Sequence, residues 1–185
     1  MSRAARRRPR GRARESRARR RYVAAMPSPS PYRSLPPARR AAIVEHAIRS
    51  SRDARALYVQ RLVARGGGFR AVTVQAWPPE RLAREVVRLN AETAQDELDL
   101  LQALYVELEP ATQITFLDAA GVPHENGVMG EELTPPFADA EAVRRAAAAV
   151  REQHGEEGVR YLRTLARYGR EAWPGIEGVV AEFGG

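Results

Sequence analysis

His124-Glu125-Asn126-Gly127, with Glu131 and Glu132 close behind, is the stretch where side chains able to do chemistry are most concentrated. Imidazole nitrogen and carboxylate oxygen are common metal ligands. A carboxylate that orients a histidine also makes a general base. The residue types are right, but they follow no spacing motif. The competing reading is structural. Asn126-Gly127 is a strong signal for a two-residue hairpin turn, His124 packs on the end of a bundle, and the glutamates face water. That reading is preferred, so no catalytic residue, metal ligand or cofactor is assigned, and His124, Glu125, Asn126, Glu131 and Glu132 stand as a candidate polar cluster.

Other catalytic arrangements find less support. A di-metal carboxylate bundle needs Glu-x-x-His pairs on its inner faces. Here Glu45 and His46 are adjacent and Glu152 lies two residues before His154, so neither pair shares a helix face. Asp96, Glu97 and Asp99 read as the solvent side of their helix. The absence of cysteine excludes thiolate nucleophiles, thiolate metal sites and disulfides. Gly66-Gly67-Gly68 is no phosphate loop, because no Gly-Lys-Ser/Thr follows and the chain has no lysine.

Charge is unevenly distributed. Residues 1–25 hold eleven of the thirty basic residues and a single acid, Glu15. The rest of the chain keeps nineteen arginines against twenty-two acids, so a net charge of +7 hides a mildly acidic body. Arg6, Arg7, Arg8, Arg10, Arg12, Arg19, Arg20 and Arg21 are candidate phosphate contacts in a basic arm. Arg39, Arg40, Arg49, Arg52, Arg55, Arg61 and Arg65 extend that reading onto the first two helices. The same arm also reads as a solvated tail, or as translation upstream of a start at Met26. A Pro/Ser linker follows it. The expected division is a disordered arm and linker over 1–36 and a helical domain over 37–185.

The elements that must position these residues are helical. Ile43, Val44, Ala47 and Ile48 share one face, and Tyr58 and Leu62 a second. Val72 and Val74 alternate within Phe69–Trp77, which predicts an extended crossover. Pro79 opens a helix that runs in phase through Ala94, Leu98, Leu101, Tyr105 and Leu108, with a break at Asn90 as the alternative. Gly121, Val122 and Pro123 close the next helix. A further helix starts after Asp139 and stops at His154-Gly155, and another begins at Glu156. Trp173-Pro174-Gly175 ends that one before a short closing helix.

The predicted fold is an all-α bundle of about six or seven helices. No apolar run reaches the roughly 18 residues of a membrane span, so no membrane partner and a cytoplasmic location are expected. The leading functional expectation is a non-enzymatic protein-interaction module, binding a protein partner or its own copies. Nucleic-acid binding through the arm and first two helices is the first alternative. An enzyme or metal protein centred on His124 and Glu125 is the second.

Overall fold

A computed structural model describes residues 30–65 and 68–183. The basic arm, and with it Arg6 to Arg21, lies outside the described residues. The described chain is an all-α bundle with one two-residue hairpin. Among the described residues no helix is long and apolar enough to cross a membrane.

Helix α1 (Pro37–Ser50) opens on proline, which needs no amide partner in a first turn, and buries Ile43, Val44 and Ile48. Ser51 ends it and caps α2 (Arg52–Ala64), its hydroxyl accepting from the Ala54 amide at 3.2 Å. The Pro/Ser stretch contributes to the core as well. Tyr32 and Leu35 are buried, so from Ser30 onward the expected linker belongs to the folded domain. Proline and serine content hid two core side chains there.

The expected crossover at Phe69–Trp77 is a short helix, α3 (Ala71–Gln75), that buries only Val74. With no strand to pair with, its backbone groups are satisfied locally by helical bonds. Val72 points out, at 79% exposure. Phe69 and Trp77 do dock together, edge to face at 4.9 Å.

The single helix expected through Leu108 is broken at Asn90. Helix α4 (Pro79–Arg88) ends with Asn90 in the left-handed region at φ 46°. The Ala91 amide bonds back to the Val86 carbonyl and the Asn90 amide to Val87, the paired closure of a Schellman turn. Thr93 then restarts the chain with a reciprocal capping box to Asp96, opening α5 (Ala94–Gln102). The interruption resets the helical phase. The buried side of α5 carries Asp96, Glu97, Leu100 and Leu101, whereas Leu98, expected inside, is partly exposed. A π-helical turn (Ala103–Leu108) continues α5, buries Leu104 and Tyr105, and turns Leu108 outward.

Helix α6 (Ala111–Ala120) closes on Gly121, as its sequence predicts, with Val122 bonded to Leu117 at 3.0 Å. Strands β1 (His124–Glu125) and β2 (Val128–Met129) form the hairpin around Asn126-Gly127. Helix α7 (Ala140–Tyr168) is interrupted at Gly155, whose φ of 54° and ψ of −125° are not helical. In a continuous helix residues eight apart lie about 12 Å from each other. Here a Cβ on Gly158 would sit 2.4 Å from the Val150 carbonyl oxygen, so the chain turns sharply at Gly155. Helix α8 (Ile176–Phe183) packs on α7. Trp173 is buried edge to face on Phe116 at 4.9 Å, so both tryptophans close the bundle from within.

The close pass at Gly158 makes a paired prediction. Gly158→Ala should cost about 1–3 kcal/mol in urea denaturation, because its methyl meets backbone. Gly178→Ala, in α8 with nothing within 4 Å of the added carbon, should gain about 0.5–1 kcal/mol. Equal effects at the two sites would rule out the tight crossing.

Candidate functional site

His124 is engaged at both ring nitrogens, by the hairpin turn and by α6. Its Nδ1 accepts the Gly127 amide at 3.1 Å, which leaves the proton on Nε2, directed at Asp118 Oδ1 at 3.1 Å. Gln113 Nε2 donates to the Gly127 carbonyl at 2.6 Å and ties the turn to α6. Glu125, Asn126, Glu131 and Glu132 are exposed. His124, Glu125, Asn126 and Glu132 line one shallow cleft on that side, and Glu131 does not share it. The contacts of His124 are those of a turn-stabilising residue. Among the described residues no three His, Asp or Glu side chains converge in a way that could hold a metal ion.

The dense polar arrangement lies elsewhere, in the interior. Glu92, Asp96 and Glu97 are buried at 2%, 7% and 4% exposure, although the sequence placed Asp96 and Glu97 on a solvent face. The Schellman turn and capping box account for the difference, since they rotate the start of α5 so that its first turn faces α1, α2 and the N-terminal segment.

Each carboxylate meets an arginine from a different part of the chain. Arg33 donates through Nε to Glu97 Oε1 at 2.8 Å, through Nη2 to the Glu92 carbonyl at 2.9 Å and through Nη1 to Asn90 at 3.2 Å. Ser30 and Tyr168 also donate to Glu97. Arg61, from α2, pairs with Asp96, whose Oδ2 also accepts the Thr93 amide at 2.6 Å and hydroxyl at 2.9 Å. Arg40, from α1, lies 3.6 Å from Glu92 Oε1, which accepts the Tyr32 hydroxyl at 3.1 Å. Arg40 Nε and Glu92 Oε2 are buried without a hydrogen-bond partner among the described residues.

The electrostatics follow from these contacts. Burial pushes Asp96 up, but the hydrogen bonds from Arg61 and Thr93 outweigh it and hold its carboxyl below the ordinary aspartate range. Burial, then the nearby Glu92 charge, drives the Tyr32 hydroxyl far above its usual value. The hydrogen bond to Glu97 raises Arg33. Three carboxylates, each facing its own guanidinium, make an internal clasp.

A second network lies on the π-helical turn. Tyr105 donates to Glu157 Oε1 at 2.9 Å, and Arg39 and Arg160 both pair with the same carboxylate. Arg39 also pairs with Glu109, and His46 lies 2.6 Å from Glu107. Of the basic residues expected to extend the arm's reach, Arg39, Arg40, Arg49 and Arg61 are paired with carboxylates. Arg55 and Arg65 donate to backbone carbonyls. Arg52, at the start of α2, is exposed with neither an ion pair nor a hydrogen bond among the described residues.

Open clefts lie beside these networks among the described residues. One, of about 490 Å³, lies between α1 and α4, with Pro37, Ala38, Ala41 and Val87 as its aliphatic walls and Arg40, Arg84 and Arg88 along it. Another, of about 530 Å³, lies at the break in α7. No family model, curated protein or solved structure matches this chain. The chain's own geometry therefore carries the functional reading.

The clasp makes a pH-dependent prediction. A carboxyl held low in the folded state stabilises above the unfolded aspartate value of about 3.9, and that contribution disappears as pH falls through the folded value. Asp96→Asn should cost about 1–3 kcal/mol at pH 7, with the gap from wild type closing below about pH 4. Guanidinium denaturation across that range measures it. A gap that stays constant down to pH 2 would show that Asp96 does not stabilise the fold through its charge.

Proposed function

We propose that this chain is a non-catalytic protein-interaction module that docks an acidic segment of a separate partner in the cleft between α1 and α4. The observation that carries the reading is the composition of that cleft: aliphatic walls beside arginines. Small side chains on α1 (Ala38 and Ala41) and Val87 on α4 leave room for one apolar anchor. Arg84, whose Nε donates to the Glu80 carbonyl at 3.3 Å, and Arg88, held by Glu85 at 2.6 Å, stand along it. An apolar anchor with flanking basic groups suits a segment that carries carboxylates around one hydrophobic residue. Arg40 belongs both to this cleft and to the internal clasp, so the walls are fixed by the core rather than by a mobile loop.

Selection of displayed peptides on the wild-type chain, with Arg84→Glu as the counter-target, tests the reading. The expected winners combine Asp or Glu with one aliphatic or aromatic anchor, and their affinity for Arg84→Glu falls about tenfold or more. Peptides that bind both chains equally, or no enrichment, would contradict it. A wild-type dimer in sedimentation that Arg84→Glu converts to monomer would give the face to a second copy and overturn the separate partner.

A further inference from the structure

The geometry points to a second site, independent of the α1/α4 cleft, that binds a small phosphate-class anion at the break in α7. Because the chain turns at Gly155, Arg151 from before the break and Arg160 and Arg163 from after it line one cleft of about 530 Å³, with Ser34 and Phe183.

The three arginines are not equivalent. Arg160 is positioned: its Nη1 pairs with Glu157, whose other oxygen accepts the Tyr105 hydroxyl, and its Nε donates to Ser34 Oγ at 3.3 Å. Arg151 lies over the Phe183 ring at 4.6 Å and has no carboxylate partner among the described residues. Arg163 is exposed, with neither an ion pair nor a hydrogen bond among the described residues. Glu156 is the single acid along the cleft.

In the rest of the body arginines are mostly spent on carboxylates or carbonyls, so two guanidiniums without a carboxylate partner beside a third held rigid are a local excess. Guanidinium forks match the oxygen geometry of phosphate, and an anion suits two guanidiniums that no carboxylate pairs with among the described residues. Arg151 is steadied by the Phe183 face without losing its charge. The π-helical turn takes part indirectly, because it supplies the Tyr105 that orients Glu157 and, through it, Arg160.

Thermal unfolding of the full chain, titrated with inorganic phosphate and separately with pyrophosphate at ionic strength held constant with chloride, tests the site. The expected result is a saturable rise in Tm with at least one of the two anions. Arg163→Ala and Arg151→Gln should each raise the half-saturating concentration about tenfold, the loss of one charge-assisted contact. Arg84→Ala, on the other cleft, should leave the titration unchanged. Arg163 is exposed and has no ion pair or hydrogen bond among the described residues, so its replacement does not threaten their fold. No saturable rise would overturn the proposal. So would a rise identical in wild type and Arg163→Ala, which is general salt stabilisation.

Discussion

Burying Glu92, Asp96 and Glu97 is the constraint on which the rest of this fold depends. An ionised group taken out of water costs several kcal/mol unless an opposite charge and hydrogen bonds meet it. The three carboxylates lie within one six-residue stretch that runs from the α4–α5 connection into the first turn of α5, while their arginines come from three places: the N-terminal segment, α1 and α2. Burying that stretch with its charges met requires all three elements. The clasp therefore specifies which elements assemble, where an apolar core of similar volume would tolerate several arrangements. The surrounding side chains, Leu100, Leu101, Val86 and Tyr32 among them, supply the non-directional stabilisation.

Two backbone reversals shape the surface around that clasp. Asn90 ends α4 so that Val87, Arg88 and Asn90 itself line the α1/α4 cleft. Gly155 folds α7 so that Arg151 and Arg163 share the second cleft. In both places a left-handed residue turns a helix face into a concavity, and an arginine tied into a buried or half-buried ion pair borders it. The two proposed binding clefts thus sit on parts of the backbone that cannot shift without disturbing charged contacts.

Much of this architecture is legible in the residues. Gly121-Val122-Pro123, Asn126-Gly127, Asp139 and His154-Gly155 each carry local chemistry that decides a turn or an end by itself, and the structure keeps all four. The polar interior is not legible by the same means. Periodicity treats Asp96 and Glu97 as solvent-facing because their helix reads in phase with the one before it, and the phase is lost at Asn90. Thr93-Ala-Gln-Asp96 carries the signal that could have located the restart: a threonine three residues before an acid, the pattern of a capping box. Even so, nothing local to Glu92 says that Arg40 and Tyr32 wait for it more than fifty residues away. Tyr32 and Leu35 were similarly masked by prolines and serines. The hairpin histidine was the reverse case, with suggestive neighbours in sequence and structural partners in space.

A double-mutant cycle on Arg33 and Glu97 tests the clasp most directly. Arg33→Ala, Glu97→Gln and the double variant would be compared with wild type by urea denaturation at pH 7. If the half-buried pair couples the N-terminal segment to α5, the interaction energy will be about 1–3 kcal/mol, with the double variant less destabilised than the sum of the singles. Strict additivity would show that the two residues stabilise the fold independently, and the clasp would no longer account for how its parts are held together.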